Sequence, residues 1–104
     1  MDCRSSAIVA HIETNFAEKI TLDELAEKSN LSKRHFTRVF QECMGRSPID
    51  HLMHVRCQKA AELLKGTGRK ITDIAFDCGF SDSNYFTRCF RNVMKQTPKQ
   101  YRGV

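Results

Sequence analysis

The strongest constraint on the fold of this chain is a segment that occurs twice. Residues 36–48 have the sequence FTRVFQECMGRSP and residues 86–98 have the sequence FTRCFRNVMKQTP, with six of the thirteen positions identical. In each copy, two Phe residues four positions apart fall on one face of a helix. The Ser-Pro or Thr-Pro pair that follows is typical of the start of another helix. The sequence therefore predicts two copies of one helical unit.

The length of 104 residues fits one domain or two very small ones. Each half offers little core of its own, so we expect a shared connecting element. The net charge is +5, and it is uneven: residues 1–65 hold ten Lys/Arg and nine Asp/Glu, whereas residues 66–104 hold seven and three. A basic excess on a small chain favours a polyanionic partner.

Cysteine usage and hydropathy indicate a cytoplasmic protein. The five cysteines are odd in number and form no C-x-x-C pair, which favours reduced thiols. No apolar run reaches transmembrane length, and the N-terminus has no signal-peptide core, so no membrane partner is predicted.

Few residues suggest a metal site or a catalytic site. His51 and His54 have a spacing that could hold a metal, but no third ligand is obvious, and packing or surface roles are favoured. Cys43 or Cys89 with His35 could suggest a nucleophile, but no orienting acid or oxyanion motif accompanies them. We predict no metal, no cofactor and no enzymatic activity.

Capping and breaking residues predict an all-α fold of about seven helices, since no strand pattern occurs. Thr21 and Glu24 form a capping-box pattern, and Gly45 is a helix stop. The buried stripe of helix 3 is expected to hold Phe36, Val39, Phe40 and Cys43 or Met44. Helix 1 is predicted over 6–16, helix 2 from Thr21, and helix 3 from the Ser32 cap to Gly45. Helix 4 is predicted from Ser47-Pro48 to Lys65. Helices 5, 6 and 7 are predicted to start at Thr72, Ser81 and Thr97-Pro98.

Each half then contains a short helix, a turn residue and a second helix, which is the helix-turn-helix pattern. The turn residues are Asn30 and Gly79. In this motif the second helix places its outward N-terminal residues in the DNA major groove. The outward side chains of helices 3 and 6 include Arg, Thr, Ser and Asn, which can bond to base edges or phosphates. A solvated polar face is the alternative for one helix, but the duplication favours binding.

These residues resemble the DNA-binding domain of the AraC/XylS family of bacterial transcription regulators. The resemblance rests on ITDIAFDCGFSDSNYFTRCFR (71–91), TPKQYR (97–102), SKRHFTRVF (32–40), the Leu-x-x-Leu-Ala of residues 22–26, and Arg56. It implies one domain over 1–104, with helix-turn-helix subdomains at 6–46 and 66–104 joined by a linker helix at 47–65. It further implies a sequence-specific activator in the bacterial cytoplasm that contacts two adjacent major-groove segments of double-stranded DNA.

The resemblance also assigns roles to individual residues. Family members often have a large aromatic residue at position 34, where this chain has Arg. Arg56 could contact DNA or form an ion pair with an acid of helix 5 or 6. The predicted base-contacting residues are Arg34, Thr37, Arg38, Ser83, Asn84, Thr87 and Arg88, and the predicted phosphate-contacting residues are Lys33, Arg91, Lys95 and Thr97, the last through the N-terminus of helix 7.

The sequence also leaves two alternatives to this function open. A helical protein-interaction module would show apolar anchors on helices 3 and 6, and an architectural DNA binder would show Lys-rich faces with apolar wedges. By resemblance, RNA polymerase is a further partner, and a sensor or dimerisation domain would lie outside this chain. The start at residues 1–5 has no cap or apolar pattern, which favours the C-terminal part of a longer protein over a stand-alone regulator.

Overall fold

The computed structural model describes residues 3–103, with side chains from residue 7 onward. Within that part the regular secondary structure consists of seven helices with no strand, which confirms the all-α prediction. Met1 and Asp2, in the stretch predicted to lack a pattern, lie outside the described residues. The helices are α1 (Cys3–Asn15), α2 (Leu22–Lys28), α3 (Lys33–Met44), α4 (Pro48–Gly66), α5 (Ile71–Asp77), α6 (Ser83–Met94) and α7 (Pro98–Arg102). In residues 3–103 no helix has the length and apolar character needed to cross a membrane.

The chain divides into two compact units within α4, between Leu52 and Met53. The first unit contains α1, α2, α3 and the start of α4. The second contains the rest of α4 with α5, α6 and α7. The predicted three-part division at residues 46 and 65 stays a prediction.

Side-chain caps fix the starts of most helices. The hydroxyls of Thr21 and Ser32 accept hydrogen bonds from the backbone N–H groups of Glu24 and His35, each at 3.2 Å. Such caps satisfy backbone donors that the first helical turn leaves without partners. Three predicted starts were wrong by one to three residues. Helix α1 begins at Cys3 rather than at residue 6. Helix α5 begins at Ile71 behind Lys70, which makes no side-chain cap, rather than at Thr72. Helix α6 is capped by Asp82, whose carboxylate accepts from Asn84 N–H at 3.0 Å, rather than starting at Ser81.

The two turns share one hydrogen-bond pattern. Asn30 (φ 59°) and Gly79 (φ 99°) are both left-handed. The residue after each of them, Leu31 or Phe80, donates its N–H to the carbonyl of Ala26 or Ala75, at 3.2 and 3.0 Å. Asn30 and Gly79 themselves donate to Glu27 and Phe76, so both turns are Schellman motifs. The predicted turn residues are therefore confirmed.

In the first unit, aromatic packing connects α3 to the start of α4. Phe36 and Phe40 are buried with ring centroids 5.8 Å apart, and the rings of Phe40 and His51 meet edge-on with centroids 5.7 Å apart. His51 is thus a packing histidine of the core. Cys43, predicted for the buried stripe of α3, is exposed. The buried stripe of α3 ends at Phe40, because the last turn of the helix extends beyond this core. Met44 in that turn is only half-buried.

The second unit repeats this packing with a longer aromatic row. The ring centroids of Phe80 and Phe86 are 5.0 Å apart, those of Phe86 and Phe90 are 5.6 Å apart, and those of Phe90 and Tyr101 are 5.5 Å apart. Tyr101 thus packs against the second Phe of its copy as His51 packs against Phe40 in the first copy. The Arg102 side chain closes the end of α4, donating to the carbonyls of Leu64 (3.1 Å) and Thr67 (3.3 Å).

Two buried cysteines complete the core of the second unit. Burial raises the pKa of Cys57 to about 12 and that of Cys78 to about 11. Both are therefore protonated thiols at neutral pH and pack as small apolar side chains.

Candidate nucleic-acid interface

The exposed face of α3 presents the residues that the sequence assigned to DNA. Lys33, Arg34 and Arg38 are exposed, and Thr37 is half-buried beside the buried Phe36. Because Phe36 and Phe40 fix one face of α3 in the core, the opposite face points away from the unit. The structure thus brings the predicted first-unit residues onto one surface.

A pocket of about 320 Å³ opens at the start of this face. It is lined by Ser32, Arg34, His35 and Arg38. Two guanidinium groups and an imidazole therefore border one concave space at the N-terminal end of α3, where backbone dipoles favour negative charge. Sequence reasoning did not assign His35 to the interface, although its place next to Arg34 on the first turn was visible.

The exposed face of α6 has the same position in the second copy but different chemistry. Asn84 and Arg88 are exposed, and Ser83 and Thr87 are half-buried. The Thr87 hydroxyl donates to the Ser83 carbonyl at 3.0 Å. That bond holds the Thr87 side chain against its own helix, with the hydroxyl oxygen still able to accept.

Arg88 lies over an aromatic ring. Its guanidinium carbon is 5.8 Å from the ring centroid of Tyr85, one helical turn earlier. Tyr85 is 41% exposed, and its ring meets Phe80 edge-on at 6.1 Å. This residue was not among the predicted contacts, although an aromatic residue three positions before an outward Arg is a visible signal.

The predicted phosphate contacts have varied surroundings. Lys33 pairs with Asp23 at 3.1 Å, with both side chains mostly exposed, so this weak pair can exchange for a phosphate. Arg91 is exposed in the last turn of α6. Lys95 is exposed and ends α6 in the left-handed conformation, at φ 64°.

The start of α7 is occupied by its own cap. The Thr97 hydroxyl accepts from Gln100 N–H at 3.2 Å, and the Gln100 side chain accepts from Thr97 N–H at 3.0 Å. This capping box uses two of the backbone N–H donors predicted to face an anion. The predicted phosphate contact of Thr97 stays a prediction.

Arg56 is part of the core rather than of this surface. It is buried, and its guanidinium carbon lies 5.7 Å from the ring centroid of Phe80. Burial lowers the pKa of Arg56. This burial favours a structural role for Arg56 over contact with DNA, and the guanidinium lies beside the residue that follows the Gly79 turn.

Comparisons with known proteins agree with this arrangement. A helix-turn-helix domain model matches residues 25–103. The transcriptional activator RhaS of Klebsiella pneumoniae (strain 342) is 38% identical over 101 residues, which are 97% of this chain and 36% of RhaS. The chain thus spans about a third of the length of the curated relatives it matches.

Solved structures show the same fold. A probable AraC family transcriptional regulator from Rhodopseudomonas palustris CGA009 superposes with a TM-score of 0.87 at 29% identity, covering 97% of this chain and 95% of that one. The DNA-binding domain of AdpA, a global transcriptional factor solved in complex with a target DNA, gives 0.88 at 26% identity, covering 94% and 88%.

Proposed function

The chain belongs to the AraC-type family of helix-turn-helix transcription regulators, and from this premise we propose that it recognises a DNA sequence with α3 and α6. The proposal rests on one observation above all. The same exposed face, with Thr and Arg at equal positions, follows the same Schellman turn in both units. A fold that repeats its outward polar face is suited to a target that repeats, such as successive segments of the major groove.

The chemistry of the two faces supports base recognition over general attraction. Arg38 and Arg88 each offer paired donors for the O6 and N7 of guanine, and Asn84 can pair with N6 and N7 of adenine. Arg34, Thr37, Ser83 and Thr87 border these residues and complete the proposed base contacts. Lys33, Arg91, Lys95 and the Thr97 end of α7 are proposed to contact phosphates, which would set the register of each unit on the duplex.

The wider biology of the chain is proposed by family membership. We propose that it acts in the cytoplasm as part of a transcription activator, with RNA polymerase as a protein partner. A sensor or dimerisation domain, outside the residues of this chain, would supply the response to a signal.

Selection of bound duplexes from a random pool tests the proposal. We expect one enriched sequence that binds tightly in the presence of excess random DNA. A specific complex of this kind exceeds non-specific binding by about 10³-fold or more. If competitor DNA displaces every selected duplex equally, the chain is an architectural binder instead. If no duplex is retained, the interaction-module alternative gains support.

A further inference from the structure

The exposed face of α6 contains an aromatic residue that is not among the proposed base contacts. Tyr85 lies directly after Asn84 and precedes Thr87 and Arg88, at the centre of the proposed site. Its exposed fraction is 41%, whereas Phe80, Phe86 and Phe90 of the same unit are buried.

An aromatic contact holds the ring of Tyr85 in place. One edge meets the buried Phe80, with centroids 6.1 Å apart. The ring is therefore anchored where it meets the core.

The guanidinium group of Arg88 lies over this anchored ring, 5.8 Å from its centroid. A guanidinium group carries five N–H donors, so a cation–π contact with the ring leaves donors available for a base edge. An exposed Arg otherwise loses considerable rotamer freedom when it binds.

We propose that Tyr85 is a positioning residue that orients Arg88 for contact with a base. The inference rests on the proposed function and deepens it at one residue. It applies to α6 alone. In α3 the residue three positions before Arg38 is His35, which lines a pocket with Arg34 and Arg38.

A double-mutant cycle on the selected duplex and on a scrambled duplex tests the inference. Tyr85→Leu should weaken specific binding by about two- to five-fold, the effect of an exposed cation–π contact. In the Arg88→Ala background the same substitution should have no further effect, because its partner is already gone. Tyr85→Phe keeps the ring and should remain within about two-fold of the parent. Phe76→Leu removes another exposed aromatic of the same unit, 55% exposed on α5, and is the matched control.

Base preference provides a readout that a merely structural role would not change. Tyr85→Leu should relax the preference at the same base pair as Arg88→Ala, with thermal unfolding showing that the variant is folded. An equal loss in both backgrounds would overturn the positioning role and leave base recognition by Arg88 intact. If Arg88→Ala leaves discrimination between the two duplexes unchanged, base contact by Arg88 is itself wrong, and the role of Tyr85 is rejected with it.

Discussion

At the scale of single residues, Arg38 and Arg88 occupy the same place in the two copies of Phe-Thr-Arg-x-Phe and have different neighbours. Both are exposed on a helix whose opposite face is fixed in a core by Phe residues. We expect Arg38→Ala and Arg88→Ala each to weaken binding to the selected duplex by about 1–3 kcal/mol, because each removes a bidentate donor. Each should relax preference at a different base pair, as measured by binding isotherms on single-substituted duplexes.

The control for this pair is Lys28→Ala, which removes one exposed positive charge from α2, outside the two proposed recognition helices. It should change specific and scrambled binding by similar small amounts. Equal weakening of both duplexes by the Arg variants would instead make these residues phosphate contacts, and sequence recognition would then depend on Arg34, Ser83 and Asn84.

Lys95 is a second residue at which the copies differ. It ends α6 at φ 64°, where the first copy has Gly45 at φ 79°. A residue with a Cβ atom costs roughly 1 kcal/mol more than Gly in this conformation. We expect Lys95→Gly to raise the free energy of unfolding by about 1 kcal/mol and to weaken DNA binding, since it removes a proposed phosphate contact.

Chemical denaturation and binding isotherms measure the two effects separately. Gly45→Ala provides the reverse comparison, because a Cβ atom there meets nothing within 4 Å and the cost is purely conformational. An unchanged affinity for Lys95→Gly would show that this strained position has no role in binding.

At the scale of elements, the turns decide whether each pair of helices forms. Gly79 has φ 99° and donates to Phe76 within a Schellman motif. We expect Gly79→Val to destabilise the second unit by about 1–2 kcal/mol, because a β-branched residue is strained there. Gly79→Asn should cost less, since Asn30 adopts this conformation in the first copy. Thermal unfolding of the parent chain and the two variants measures this order of stability. Equal melting temperatures for the parent and Gly79→Val would contradict the prediction.

Most element boundaries could be predicted because their causes are local. Thr21, Ser32 and Thr97 cap helices through bonds to residues three positions away, and such pairs are visible in sequence. The start of α6 could not be placed by analogy with α3. Two residues separate Asn30 from Lys33, but three separate Gly79 from Ser83, and Asp82 takes over the cap.

At the scale of the whole molecule, the repeat predicted two helix-turn-helix copies because it specifies their cores as well as their surfaces. The repeat could not predict which side chains surround each site residue, because those contacts are set by the three-dimensional packing of the folded chain. The contact of Arg88 with the ring of Tyr85 and the exposure of Cys43 are two features that the repeat did not predict. The division of α4 between Leu52 and Met53 likewise reflects packing along a continuous helix that has no break in its sequence.

The charge of the whole chain leads to the last prediction. The net charge is +5, and Lys33, Arg91 and Lys95 are exposed near the two proposed faces. Four to eight phosphate contacts, the number we expect from the basic residues flanking α3 and α6, would give a plot of log affinity against log salt a slope of about −4 to −7. Arg91→Ala should make this slope less steep by about 0.9, because one fewer counterion is released. Phe76→Leu, which alters no charge, should leave it unchanged. A slope near zero for the parent chain would remove DNA as the partner, since no duplex can be bound through these side chains without displacing its counterions.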